Sequence, residues 1–434
     1  MFGKTFSYQN QNDWPSIKAW LARRMHLDLS VEGPVREILE KVSTGGDRTL
    51  VDYTRRFDCP DFEVSDLRVS GEAISQAARK VDPHDMDIIS QAADRIKAFH
   101  EQQQQKSWFM TDEDGAVMGQ MVSPVYRAGL YVPGGQGGST PLISSLLMNA
   151  VPARVAGVES ICIMSPPTPE KTLNPYLLAT ASLLGIDEIY MCGSAWAVAA
   201  MAYGTESVDN VDIIAGPGNI FVTIAKKMLV GQVGIDMIAG PSEVAVLADE
   251  NADPGYIAAD LLSQAEHDPL AGTYLISPDP TLPEAVSSQL EKQLFVLPRG
   301  DTARKALADW GVSFTVPDLK TGIELSNFIA PEHFELCLDD PWSYLGLVRN
   351  AGAVFLGPHT PEPVGDYFAG PNHVLPTLST ARFSQALSVH TFQKNISILS
   401  SSPAYMARHG AKIARMARLE GLEAHARSIE QRLK

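Results

Sequence analysis

The stretch VYRAGLYVPGGQGGSTPLISSLLMNAVPARVAGVESICIMS, Val125 to Ser165, decides the fold. Two short apolar runs, YRAGLYV and ESICIMS, have the length and bounding residues of buried strands, and between them Pro141 to Ala156 is long enough to be a helix. The same alternation continues outward to about Leu290. Strand candidates DEIYMC, VDIIAG, EVAVLAD and TYLIS are interleaved with helix candidates such as Asn219 to Val230. This is the pattern of βα units around a mainly parallel sheet, so the chain reads as an α/β protein. A second, shorter set follows in VSFTV, HFELCL and GAVFLG. The first hundred residues look mostly helical ahead of the polar break HEQQQQKSW, and Ala411 to Lys434 reads as a separate charged helix, most simply a solvated amphipathic tail.

Composition limits what such a fold does. A chain of 434 residues exceeds what one hydrophobic core usually organises, and 45% hydrophobic against 20% charged residues marks a folded protein. The net charge of -16 argues against a nucleic-acid partner, which needs clustered Lys and Arg, and favours small molecules. No window has the length of a membrane span and the N-terminus lacks the apolar run of a signal peptide, so a cytoplasmic location is expected. Cys59, Cys162, Cys192 and Cys337 are scattered without C-x-x-C spacing, which suggests neither a disulfide framework nor a thiolate metal site. Cys162 and Cys192 lie in strand-like runs, where a buried inert thiol is expected.

Local motifs place the chemistry. AGPGN at Ala215, AGPSE at Ala239 and AGPNH at Ala369 repeat a Gly-Pro turn, and in open α/β sheets the carboxyl ends of strands are where ligands bind. The segment YVPGGQGGSTP from Tyr131 could cradle a phosphate, although it is neither G-x-G-x-x-G nor a P-loop and an ordinary loop explains it equally well. In DLLSQAEHDP, Asp260 to Pro269, the spacing predicts a helix started by Asp253-Pro254, with Gln264 and His267 beside one edge of its apolar stripe. On spacing alone a structural His is the commoner outcome there than a metal ligand. APEHFEL adds the adjacent Glu332 and His333, VGDYFAGPNHVLPT adds Asp366 and His373, and LEGLEAHA adds Glu420 and His425. His, Asp and Gln together suit zinc with nitrogen and oxygen ligands, while each fragment alone is compatible with a capped turn or surface charge.

Taken in order, GLYVPGG, MNAVPARVAG, YGTESV, GPGNIFVT, DMIAGPSEV, LLSQAEHD, APEHFEL, GDYFAGPNHVLPT and EGLEAHA resemble the histidinol dehydrogenase family over essentially the whole chain. The resemblance implies oxidation of L-histidinol through L-histidinaldehyde to L-histidine, with two NAD+ and one zinc per site. It implies zinc ligands Gln264, His267, Asp366 and His425, and a catalytic pair Glu332 and His333. Substrate contacts at Ser242, His373 and Glu420, added to the ligands and His333, and NAD contacts at Tyr131, Trp196 and Asn219 are implied likewise. It further implies two Rossmann-like α/β domains in an interlocked homodimer, with His425 and Glu420 supplied by the partner subunit. The expected boundaries are an N-terminal helical arm over 1–25, a first α/β domain over 26–130 and 243–387, a second over 131–242, and a C-terminal helical dimerisation tail over 388–434.

Two positions depart from the family's usual pattern. GSAWAVAA carries Trp196 where Gln is usual, which suggests stacking on the cofactor in place of a hydrogen bond and bears on the choice between NAD and NADP. His390 in SVHTFQK stands where an acidic residue is common. Three rival functions follow: a related zinc- and NAD-dependent dehydrogenase of another small polar alcohol such as a sulfonated diol, a zinc hydrolase in which Glu332 activates water, and a non-catalytic zinc-binding dimer. Glu332, His373, Glu420 and His425 together favour an imidazole-bearing amino alcohol over the first. NADH formation separates the second, and NAD binding the third.

Overall fold

Strands that are apolar along their whole length pair only where both faces are covered, and the chain builds two such sheets. The computed structural model describes residues 2–24, 29–134 and 141–433. One parallel sheet has the order Lys4–Ser7, Gly311–Thr315, Gly272–Ser277, Glu243–Ala248, His333–Cys337 and Ala353–Leu356. The other runs Ile189–Met191, Ser160–Ser165, Arg127–Tyr131, Ile213–Ala215 and Gly234–Ile235, again all parallel. Every strand and both helices expected from the alternating pattern are present, Ile143–Ala156 and Ile220–Leu229 being the helices. The glycine-rich loop from Tyr131 lies largely outside the described residues.

Alternation along the strands sorts side chains between two layers. In Glu243–Ala248, Val244, Val246 and Ala248 join the core beneath helix Pro254–Ala265, whereas Ala245 and Leu247 join the core on the opposite face. In His333–Cys337 the same period sends Phe334 and Leu336 to that opposite core and leaves His333, Glu335 and Cys337 on the other side. That side is where helix Pro254–Ala265 lies, so its polar residues Asp260 and Gln264 meet the polar residues of the strand.

The packing corrects several expectations. The N-terminal arm begins with a strand, Lys4–Ser7, hydrogen-bonded in parallel to Gly311–Thr315, before helix Trp14–Leu21. Helices Glu32–Phe57, Gly71–Ala78 and Pro83–Glu101 bury their apolar faces in the core of the five-stranded sheet, which Val374 and Leu387 also join. Segments Trp108–Thr111 and Val117–Pro124 form an antiparallel sheet with Gln393–Ser400, so the tail expected to be helical contributes a strand. The charged C-terminal helix is a hairpin of Pro403–Leu419 and Glu423–Glu430. Gly421, at φ +78, supplies the left-handed turn between them, and Arg418 clamps Glu423 at 2.9 Å and Glu430 at 2.6 Å.

The four cysteines are buried and free, and burial pushes the Cys162 thiol up to about 12, as expected of inert structural thiols. Among the described residues no helix is long and apolar enough to cross a membrane.

Candidate active site

Helix Pro254–Ala265 starts as its sequence predicts: the Asp253 carboxylate accepts the Gly255 amide at 2.6 Å and Pro254 occupies the first turn. Its end differs from expectation. The helix stops at Ala265, so Gln264 sits on the last turn and His267 lies in the turn beyond, its amide donating to the Gln264 carbonyl at 3.2 Å. Asp268-Pro269 prevents further helix, because a residue preceding proline is driven out of the helical region.

His333 begins its strand directly across from Gln264. Its Nδ1 lies 3.1 Å from Gln264 Oε1 and 3.2 Å from the Glu243 carbonyl. Both neighbours are acceptors in this placement, which assigns the proton to Nδ1 and leaves Nε2 as the free base. That Nε2 is buried with no hydrogen-bond partner among the described residues. Burial pushes the His333 imidazole down to about 3, so the ring is neutral at ordinary pH. Glu332 accepts the Glu243 amide at 2.9 Å, and its Oε2 lies 3.8 Å from His333 Nδ1. Burial pushes the Glu332 carboxyl up to about 8, with the nearby Glu243 and Asp366 carboxylates adding to the rise.

Beside this pair, donor atoms of His267, Glu362 and Asp366 all lie within 4.8 Å of one another. Burial lifts Asp366 to about 7, raises Glu362 well above its ordinary range and lowers His267. Neighbouring carboxylates raise Glu362 further. Carboxylates crowded in this way are stabilised either by protons or by a cation, and a His–carboxylate set with Gln264 alongside suits zinc. His373 donates from Nδ1 to the Asp366 carbonyl at 3.1 Å and stands 3.8 Å from its carboxylate, and burial brings its imidazole down to about 4. Ser242, half-buried, immediately precedes strand Glu243–Ala248.

Glu420 and His425 are exposed on the C-terminal hairpin, and His425 is in neither group of metal-capable side chains found among the described residues. The chain therefore assembles Gln264, His267, Asp366, Glu332, His333 and His373 at one place and leaves those two outside it. Glu362 was missed by sequence reasoning. Its signal was present, four residues before Asp366 at the start of helix Glu362–Tyr367, which puts both carboxylates on one helical face. A second group, half-buried Asp260 with buried Glu335 and Cys337, lies along the same strand and helix.

The residues expected to meet NAD gather at the carboxyl end of the five-stranded sheet. Tyr131 ends its strand, and its buried hydroxyl accepts the Ser194 amide at 3.0 Å at the start of helix Ser194–Tyr203. Asn219 caps Ile220–Leu229 by accepting the amides of Phe221 and Val222 at 3.0 and 3.2 Å. Trp196, expected to stack on the cofactor, lies on helix Ser194–Tyr203. It is 5% exposed, and its ring lies parallel to Tyr53 and Phe57 of Glu32–Phe57, with centroids at 5.5 and 5.6 Å. The indole fills the contact between two helices because a large apolar ring gains more there than at a solvated rim.

Two parallel sheets covered by helices, with buried Glu332 and His333 beside the His267, Glu362 and Asp366 donor group, define an α/β protein of the dehydrogenase class. A family model for histidinol dehydrogenase matches residues 21–433, and the chain belongs to that family, whose members are oxidoreductases. It is 60% identical over 430 residues to histidinol dehydrogenase of Oleidesulfovibrio alaskensis, covering 99% of both chains. It is 58% identical over 429 residues to that of Nitratidesulfovibrio vulgaris, covering 99% and 98%. The solved histidinol dehydrogenase of Elizabethkingia anophelis superposes with a TM-score of 0.91 at 34% identity, covering 99% of this chain and 98% of that one.

Proposed function

We propose that this site oxidises L-histidinol to L-histidine in two successive dehydrogenations, using two NAD+ and one zinc ion. The observation that carries the reading is the pairing of a buried, neutral His333, its Nε2 unengaged, with Glu332 against the His267–Asp366 group. The residues fit a divalent cation, since donor atoms of His267, Glu362 and Asp366 converge and the Gln264 amide oxygen lies beside the neighbouring His333. Zinc, when bound, would hold the substrate's imidazole and amino nitrogens, and NAD+ would accept the hydride in each step.

The protein's own groups handle protons. His333 Nε2 takes the alcohol proton as hydride leaves the carbon, while Nδ1–H is held by the Glu243 carbonyl and Gln264. After the aldehyde forms, Glu332 takes a proton from the water that adds to it. Buried surroundings keep other water away from the reactive aldehyde. His373, tied to the Asp366 backbone, and Ser242 line the substrate.

The remaining ligand, His425, and Glu420 come from the partner subunit of a cytoplasmic homodimer. Support lies in an exposed apolar surface: Trp108, Phe109, Met110 and Leu399 on the three-stranded sheet and Met416 and Leu419 on the hairpin. Exposed apolar side chains on these two elements are of the kind that interfaces between copies cover.

Incubating zinc-loaded protein with L-histidinol and NAD+ tests the reading, with NADH and histidine followed together. Two NADH per histidine are expected, and chelation should abolish turnover while far-UV circular dichroism stays unchanged. Full turnover in rigorously metal-free protein, or a sulfonated diol oxidised in preference to histidinol, would overturn it.

A further inference from the structure

The catalytic pair is held from behind by one residue. Both bases touch the backbone of Glu243, whose amide donates to Glu332 and whose carbonyl faces His333 Nδ1. The Glu243 side chain, 3% exposed, turns away from them and meets Arg24 at 2.6 Å. Arg24 lies just after the N-terminal helix Trp14–Leu21 and is itself 6% exposed.

Its guanidinium has five N–H donors, and an acceptor stands opposite each. Nε donates to the Leu270 carbonyl at 2.7 Å. Nη1 serves the Glu243 carboxylate and the Tyr274 hydroxyl, the latter at 3.0 Å. Nη2 serves the carbonyls of Pro241, at 2.8 Å, and Ser242. Room for the fork comes from Gly272, where an added Cβ would lie 2.6 Å from Nη1 and 2.6 Å from the Tyr274 hydroxyl. The Gly272 amide in turn donates to the Ser242 carbonyl at 2.9 Å.

We propose that Arg24 is a positioning residue for the dehydrogenase reaction: its planar fork fixes Pro241, Ser242 and Glu243, and through Glu243 it sets the places of Glu332 and His333. The N-terminal arm thereby acts on the catalytic pair through the Glu243 backbone. The charge has a second use, because it neutralises the Glu243 carboxylate beneath Glu332. A lysine keeps that charge but presents its donors from a single point, so it cannot reach carbonyls spread around a plane.

The proposal rests on Glu332 and His333 being the bases, and the test separates the two claims. Arg24→Gln, Arg24→Lys, Gly272→Ala and, as control, Glu332→Gln are compared at a temperature well below the lowest melting point, with dimer and secondary structure verified. Misplacing a catalytic group by about 1 Å costs on the order of 100-fold in rate, so kcat for Arg24→Gln should fall by about that factor. KM for NAD+ should stay unchanged, since the cofactor side lies on the other sheet. Arg24→Lys should recover most of the melting temperature and little of kcat, and Gly272→Ala should lower kcat with Arg24 still present. Wild-type kcat in folded Arg24→Gln, or full recovery of kcat by Arg24→Lys, would overturn the proposal. If Arg24→Gln does not fold, Arg24→Lys and Gly272→Ala decide it. A fully active Glu332→Gln would instead overturn the assignment of the bases.

Discussion

Mixing two inactive variants gives the sharpest test of how the site is completed. Glu332 and His425 are the positions to perturb. Glu332 is buried within its own chain's cluster, whereas His425 is exposed on helix Glu423–Glu430 and absent from that cluster. If His425 serves the partner's site, each site combines Glu332 of one chain with His425 of the other. Glu332→Gln alone should lose a general base, about 10²–10⁴-fold in turnover, and His425→Ala should lose a zinc ligand. In a mixed dimer one site then carries both lesions and the other carries none. Random exchange makes half the dimers mixed and leaves half of their sites intact, so about a quarter of wild-type activity returns under two-fold symmetry. The assay is NADH formation after subunit exchange, with heterodimers counted by native mass spectrometry on differently tagged chains. A cis arrangement leaves every site with one lesion. Absence of recovery in a sample shown to contain heterodimers would refute the reasoning and return His425 to its own chain.

Other expectations concern proton transfer, burial and Trp196. His333→Asn should impair histidinol oxidation more than oxidation of supplied histidinaldehyde, and Glu332→Gln the reverse; equal losses in both half-reactions would mean the roles are shared. Glu332 must be ionised to take a proton from water and its carboxyl sits at about 8, so aldehyde oxidation should climb with pH below that value and the limb should vanish in Glu332→Gln. Asp58, capping the end of Glu32–Phe57, is raised from 3.8 to about 6 by burial and has one buried carboxylate oxygen unpartnered among the described residues. Folding therefore favours its protonated form: the penalty is complete above pH 6 and disappears as pH falls through 6 towards 3.8. After allowance for partial exposure, Asp58→Asn should stabilise by about 1–2 kcal/mol at alkaline pH and very little in acid, and equal urea midpoint shifts at both pH values would contradict this. Trp196→Gln should cost about 2–4 kcal/mol by emptying the contact with Tyr53 and Phe57, with KM for NAD+ unaltered. Unchanged stability with weakened NAD+ binding would put the indole back on the cofactor.

Strand and helix positions were legible in the chain itself because burial on both faces demands continuous apolar runs, and EVAVLAD, TYLIS and HFELCL show them without ambiguity. Asp253-Pro254 announced a helix start for the same kind of reason, a local hydrogen bond made by neighbours in sequence. The family-wide motifs carried Gln264, His267, Glu332, His333, Asp366 and His373 as well, although nothing local says they meet. Their meeting depends on which strands pair: only the register that sets His333 beside Val244 brings Gln264 of the covering helix to its Nδ1. Glu362 and Arg24 escaped notice because one acid among many and one arginine after a short helix are ordinary until packing buries them. Grouping of helices Glu32–Phe57 to Pro83–Glu101 with the five-stranded sheet was likewise undecidable from amphipathicity, since an apolar stripe records that a face is covered and not by what. Trp196 shows the same limit at one residue: sequence determined that a large ring stands there, and only the neighbouring helix, reached across about 140 residues of chain, decided which surface it covers.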